Sequence, residues 1–96
     1  ISDEELSLYD MLFREDLSKN DIKKLKEVAA DLLSKIKNKI SELDHWTDKK
    51  ETKAVVDNLI RDTLWAELPE CYDEVSISVY RQQIYEYVYT RYKEVA

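Results

Sequence analysis

The stretch from Val75 to Val95, VSISVYRQQIYEYVYTRYKEV, decides the fold. At a period of two, Tyr85, Tyr87 and Tyr89 alternate as a strand would. At the helical period, Ile77, Tyr80, Ile84, Val88 and Val95 share one stripe, with Tyr87 and Arg91 beside it. Length settles the choice: roughly twenty residues without a turn signal exceed the usual strand, and Arg81, Gln82 and Gln83 form helix more readily than strand. A helix here completes an all-α chain.

Upstream, the helical signals are stronger. Ser2 with Glu5 three residues on has the pattern of a capping box, so a short first helix starts there and runs to about Arg14-Glu15, with Leu6, Tyr9, Leu12 and Phe13 on one face. Ser18 with Asp21 opens a second, longer helix whose stripe reads Ile22, Leu25, Ala29, Leu32, Ile36, Ile40 and Leu43. Its outer face carries Lys24, Glu27, Asp31, Lys35 and Asn38. The run Asp44-His45-Trp46-Thr47-Asp48 breaks the pattern. Thr47 or Asp48 is expected to cap a third helix, with Glu51 in its first turn and Val55, Val56, Leu59, Ile60, Thr63 and Leu64 inward, Trp65 lying next to them. Pro69 ends that helix, because its ring disfavours helical geometry at Leu68 and it has no N–H to donate. Residues 69–73 are then a connector. The expectation is one domain over residues 1–96, built from a short N-terminal helix and three longer ones.

Composition agrees. The 96 residues include no glycine and one proline, which removes the usual residues of tight hairpin turns and the glycine-rich loops that cradle nucleotide phosphates. With 44% apolar and 38% charged residues the chain has enough apolar surface to fold. Fifteen Lys and Arg against 21 Asp and Glu leave a net charge of −6, which disfavours DNA or an anionic membrane as a direct partner. The densest basic run, Lys23, Lys24, Lys26, Lys35, Lys37 and Lys39, is interrupted by Glu27 and Asp31 and reads as a solvated helix face. Cys71 is the single cysteine, so no disulfide within the chain and no cysteine zinc cluster is possible; that usage fits a reducing cytoplasm. No run reaches the roughly twenty apolar residues of a membrane span. The chain opens on Ile1 and reads as a piece of a longer protein.

Little in the sequence points to chemistry. His45 is the one histidine, and it reads as a loop residue whose neighbour Trp46 anchors the turn in the core. Nothing suggests that Cys71 and His45 meet as a nucleophile and base. Asp44 with Glu51-Thr52-Lys53 imitates the acidic pair and Glu-x-Lys of metal-dependent nucleases, but Glu51 and Lys53 are two apart on a helix and point in different directions. No catalytic, cofactor or metal residue is assigned. The tyrosines stand out instead. Five of the seven crowd the last helix, and Tyr85, Tyr89 and Tyr92 form a stripe offset from the Ile84–Val88 seam. That stripe packs within the fold or, where exposed, forms with Trp46 the candidate protein interface, since tyrosine offers a large contact area and a polar tip at low entropic cost, whereas Glu86 and Glu94 disfavour base stacking.

Three segments in this order, Ser2-Asp3-Glu4-Glu5-Leu6-Ser7-Leu8-Tyr9-Asp10, Asp44-His45-Trp46 and Leu68-Pro69-Glu70-Cys71-Tyr72, resemble the C-terminal domain of the restriction (R) subunit of type I restriction-modification enzymes. Lys49, Lys53 and Arg61 fall where that pattern has a helix with spaced basic residues. The resemblance spans nearly the whole chain. It implies a parent chain with an endonuclease domain and two ATP-hydrolysing, Mg-dependent motor lobes that translocate DNA. This domain would then dock the motor onto the modification and specificity subunits of the methyltransferase core and contact the motor domains of its own chain, meeting DNA only through the parent complex. None of the family's catalytic motifs lies in these 96 residues, so no catalytic residue carries over and no cofactor is expected in this part. The alternative is a general helical interaction module, self-association included, unrelated to restriction.

Overall fold

The computed structural model describes residues 2–43 and 45–92. Among them are four α-helices and no strand: α1 (Asp3–Leu12), α2 (Lys19–Glu42), α3 (Lys50–Glu67) and α4 (Glu74–Tyr92). A single 3-10 turn over Trp46–Asp48 separates α2 from α3. The segment that reads two ways in the sequence is helical from Glu74 to Tyr92; Val95 lies outside the described residues.

The expected helix starts form at both serines. The Ser2 hydroxyl accepts from the Glu5 N–H and the Ser18 hydroxyl from the Asp21 N–H, each at 3.1 Å, so each satisfies an N–H that has no partner within its helix. Asp73 does the same for α4, its carboxylate accepting from the Ser76 N–H at 2.8 Å. At α3 the structure departs from expectation. Thr47 and Asp48 are taken up by the 3-10 turn, and Lys49 holds the N-cap position without a side-chain hydrogen bond. The turn is fastened from the helix side instead, because the Thr52 hydroxyl lies within hydrogen-bonding distance of both the Trp46 and the Lys49 carbonyls.

α1 is shorter than expected and rotated. It stops at Leu12, where Phe13 turns extended, and its buried residues are Leu8 and Leu12. Leu6 and Phe13 are 45% and 42% exposed. The cause is the stripe Glu4, Leu8, Leu12 at a spacing of four: Glu4 contacts Lys37 on α2 and Arg91 and Tyr92 on α4, and that turns Leu8 inward. The last α1 carbonyl, at Leu12, accepts from the Tyr72 hydroxyl.

α3 and α4 form an antiparallel hairpin, with Asp57 paired to Arg81 and Trp65 beside Ser78. α1 runs antiparallel to both α2 and α4, since its start meets Lys37 and Arg91 while its end meets Tyr72. α3 is inclined across α2. Glu67, at the end of α3, bonds Lys35 at 2.9 Å, whereas 18 residues running antiparallel from the α2 terminus would carry it about 25 Å along. The shared core takes Leu25, Leu32 and Ile36 from α2, Val56, Ile60 and Leu64 from α3, and Ile77, Ile84 and Val88 from α4. Val55, expected inward, is exposed, and Leu59 is half-buried. No helix of the described residues is long and apolar enough to cross a membrane.

The rotation of α1 is open to direct test. Leu8→Ala is expected to cost about 2–5 kcal/mol in urea unfolding, as for a fully buried leucine, and Leu6→Ala less than about 0.5 kcal/mol, as for a surface change; equal costs would refute the orientation described.

Candidate functional site

The aromatic residues singled out in the sequence do come together. Leu43 leaves α2 in an extended conformation, and His45 follows with φ 49° and ψ 52°, the only positive φ among the described residues. A side chain there costs on the order of 1 kcal/mol, in a chain with no glycine to place at the bend. The bend turns Trp46 into the core, where its side chain is almost wholly buried. Its ring meets Tyr85 and Tyr89 edge-on, at centroid distances of 6.3 and 5.8 Å, the favoured geometry for aromatic pairs. Its indole N–H points to the Tyr92 carbonyl at 3.4 Å.

Trp46 is thus the floor of the aromatic cluster, and a partner can reach only the outer parts of Tyr85, Tyr89 and Tyr92, each half-buried. Tyr85 and Tyr89 line a shallow hollow with Lys53, Glu86 and Thr90. Burial, with Asp57 nearby, pushes the Tyr85 phenol above its ordinary range, so it stays a neutral donor. Tyr92 is committed inside the fold. Its hydroxyl donates to the Glu4 carboxylate at 2.6 Å, and burial together with that bond raises its pKa.

Glu4 is the meeting point of three elements. Besides Tyr92 it holds Lys37 of α2 at 3.0 Å and Arg91 of α4 at 3.3 Å. The Tyr92 hydrogen bond above all, then Lys37, lowers its pKa from 4.5 to about 2. A second charged junction is Lys35, which bridges Asp31 and Glu67 and is itself raised by them, Glu67 first. At the other end of α4, Arg14 donates to the Cys71 carbonyl and stacks over the Tyr72 ring, its carbon 5.3 Å from the centroid. The Tyr72 phenol is raised mainly by burial.

Chemically reactive groups do not converge. Cys71 is exposed in the connector before α4, whereas the turn holding His45 packs against the far half of that helix, which is about 28 Å long. Glu51 is exposed in the first turn of α3, and Asp44 lies outside the described residues. Among the described residues no three His, Cys, Asp or Glu side chains gather as a metal-binding group. Three exposed apolar residues are not singled out by the sequence pattern: Trp65, Val75 and Val79, 62%, 73% and 48% exposed. Compared with known proteins, the chain matches no family model, and no curated protein or solved structure matches it.

The Glu4 junction fixes a pH dependence. A carboxylate whose folded pKa lies below its unfolded one stabilises the fold above the unfolded value and loses that contribution as pH falls through the folded one. Glu4→Gln is therefore expected to lower Tm at pH 7, with the gap to the parent chain narrowing between about pH 4.5 and about pH 2. Circular dichroism melts across that range read it directly; a gap independent of pH would show that the carboxylate charge contributes nothing.

Proposed function

We propose that this chain is a helical docking module without chemistry of its own, acting as the assembly domain of a type I restriction R subunit that tethers the motor to its methyltransferase core. The observation that carries the docking reading is the make-up of α4. Ile77, Ile84 and Val88 are buried, and Tyr80, Tyr85, Tyr87, Tyr89 and Tyr92 are half-buried around them. Val75 and Val79 then stand in solvent on the opposite side. The exposed side of α4 thus keeps apolar surface, Val75 and Val79 among Ser78, Gln82, Gln83 and Glu86, that no other helix of the domain covers.

Support for the particular partner is narrower. It rests on the ordered resemblance of the segments at residues 2–10, 44–46 and 68–72. The described part of those segments also has a consistent use in the fold: Ser2 caps α1, Trp46 floors the aromatic cluster, and Tyr72 closes the end of α1.

Calorimetric titration of the domain into the modification and specificity subunits, without DNA, tests the proposal, and saturable binding is expected. No heat from a domain whose helicity is intact would overturn it. Tyr85→Phe with Tyr89→Phe keeps both rings on Trp46 and removes only the hydroxyls. If those tips bond the partner, binding weakens a few-fold for each, at about 0.5–1.5 kcal/mol per hydrogen bond; unchanged affinity would take both tips out of the interface.

A further inference from the structure

The charges around α4 are distributed unequally. Its two arginines are both engaged with other helices, Arg81 with Asp57 on α3 and Arg91 with Glu4 on α1. The charges its described residues leave toward solvent are Glu74 and Glu86. Glu86 shares a hollow with Lys53, which offsets it. Glu74 shares its groove with Arg61, which Asp62 already pairs, and the connector adds exposed Glu70 and Asp73 beside it, with Arg14 the cation that acts on Asp73. The hydrogen bonds from Ser76 hold Asp73 below the usual carboxylate range, so it is charged at neutral pH.

This acidic end of α4 also carries the exposed apolar surface. A groove between α3 and α4 is lined by Arg61, Asp62, Trp65, Glu74, Ile77 and Ser78. Arg61 and Asp62 lie 3.5 Å apart and balance each other, so Glu74 sets the sign of the groove. Val75 neighbours Ser78 at a spacing of three and Val79 neighbours Val75 at a spacing of four, so the two valines continue the surface from the groove's edge over the outer side of α4. Trp65, Val75 and Val79 thus border one surface with an acidic rim. A groove between two antiparallel helices receives the side-chain ridge of a third.

We propose that this surface, Trp65 with Val75 and Val79 beside Glu74, receives an amphipathic helix of a partner protein whose apolar stripe is flanked by Lys and Arg. The assignment rests on the docking reading and specifies the chemistry of the segment that docks. Apolar side chains of the partner cover the indole and the valines, while its cations meet Glu70, Asp73 and Glu74. Complementarity of this kind also speeds encounter, since the whole chain carries −6. The exposed lysines of α2 in a second copy would supply cations of the same sign, so self-association through this face is the competing outcome.

The test uses an isotope-labelled chain and a Leu/Lys amphipathic peptide of about five helical turns, with its Leu/Glu counterpart as control. Saturable binding of the Leu/Lys peptide is expected, with amide shifts at residues 65 and 74–79 and no binding of the Leu/Glu peptide. Val79→Lys is expected to weaken binding at least about tenfold, and Phe13→Lys, at an exposed apolar site on α1, to change it less than about twofold. Gln82→Lys places the same positive charge at a solvent position if Val79→Lys fails to fold. Equal affinity for both peptides, shifts spread over α2, or a dimer of the chain that excludes the peptide from this face would each overturn the proposal. Titration of the methyltransferase core separates the two readings. Undiminished binding of the core by Val79→Lys overturns this surface and leaves docking intact, whereas a core that never binds a chain that takes the Leu/Lys peptide overturns the restriction assignment alone.

Discussion

The position of α4 depends on two aromatic side chains that come from connections rather than from helices. Apolar and polar residues are both spread around α4, so its own pattern does not choose the face to bury. Trp46, thrown inward by the left-handed His45, meets the far half of the helix through Tyr85, Tyr89 and the Tyr92 carbonyl. Tyr72, from the connector, meets the Tyr80 ring edge-on at 5.7 Å and donates its hydroxyl hydrogen bond to the Leu12 carbonyl at the end of α1. With both ends pinned, the ion pairs of Arg81 and Arg91 fix the remaining rotation.

That arrangement has a consequence for the surface. Beside the core contacts of Ile77, Ile84 and Val88, α4 makes directional ones to an aromatic edge, a carbonyl and carboxylates, and these select its rotation. The side left outside therefore carries Val75 and Val79 in solvent among Ser78, Gln82, Gln83 and Glu86. Both arginines are drawn inward by the same requirement, so the exposed rim at the start of α4 is acidic. Apolar exposure and acidic rim have one origin.

How much of this was legible varies from element to element. α2 is oriented by its sequence, because a long stripe at helical spacing with charges opposite admits one orientation, and Leu25, Ala29, Leu32, Ile36 and Ile40 occupy it, while Val28 and Leu33 widen the buried face beyond that stripe. The serine caps and the Pro69 stop were equally plain, since each acts through its own local backbone. α1 could not be oriented: Leu6, Tyr9, Leu12 and Phe13 make as good a stripe as Leu8 and Leu12, and the choice is made by Glu4 meeting residues more than thirty positions away. The cap of α3 was misread for a similar reason, as Thr47 and Asp48 are used to deliver Trp46. The aromatic cluster was legible as a set, but not its layering, which puts Trp46 beneath the tyrosines. Trp65 went unnoticed as a surface residue because its place next to the α3 stripe reads as core until α4 is positioned.

The residues that carry the resemblance and those that form the acidic apolar surface are almost disjoint. Ser2, Trp46 and Tyr72 cap, floor and close the fold, whereas Trp65, Val75 and Val79 contribute little to its core. A domain built this way separates two demands. The pins must be kept for the helices to pack at all, and the outer face of α4 is free to change with the partner it meets, because replacing a solvent-facing valine leaves the aromatic pins and both arginine pairs in place. Partner choice in such a module would therefore be written on α4 between Glu74 and Val79, apart from the residues that pin the helices.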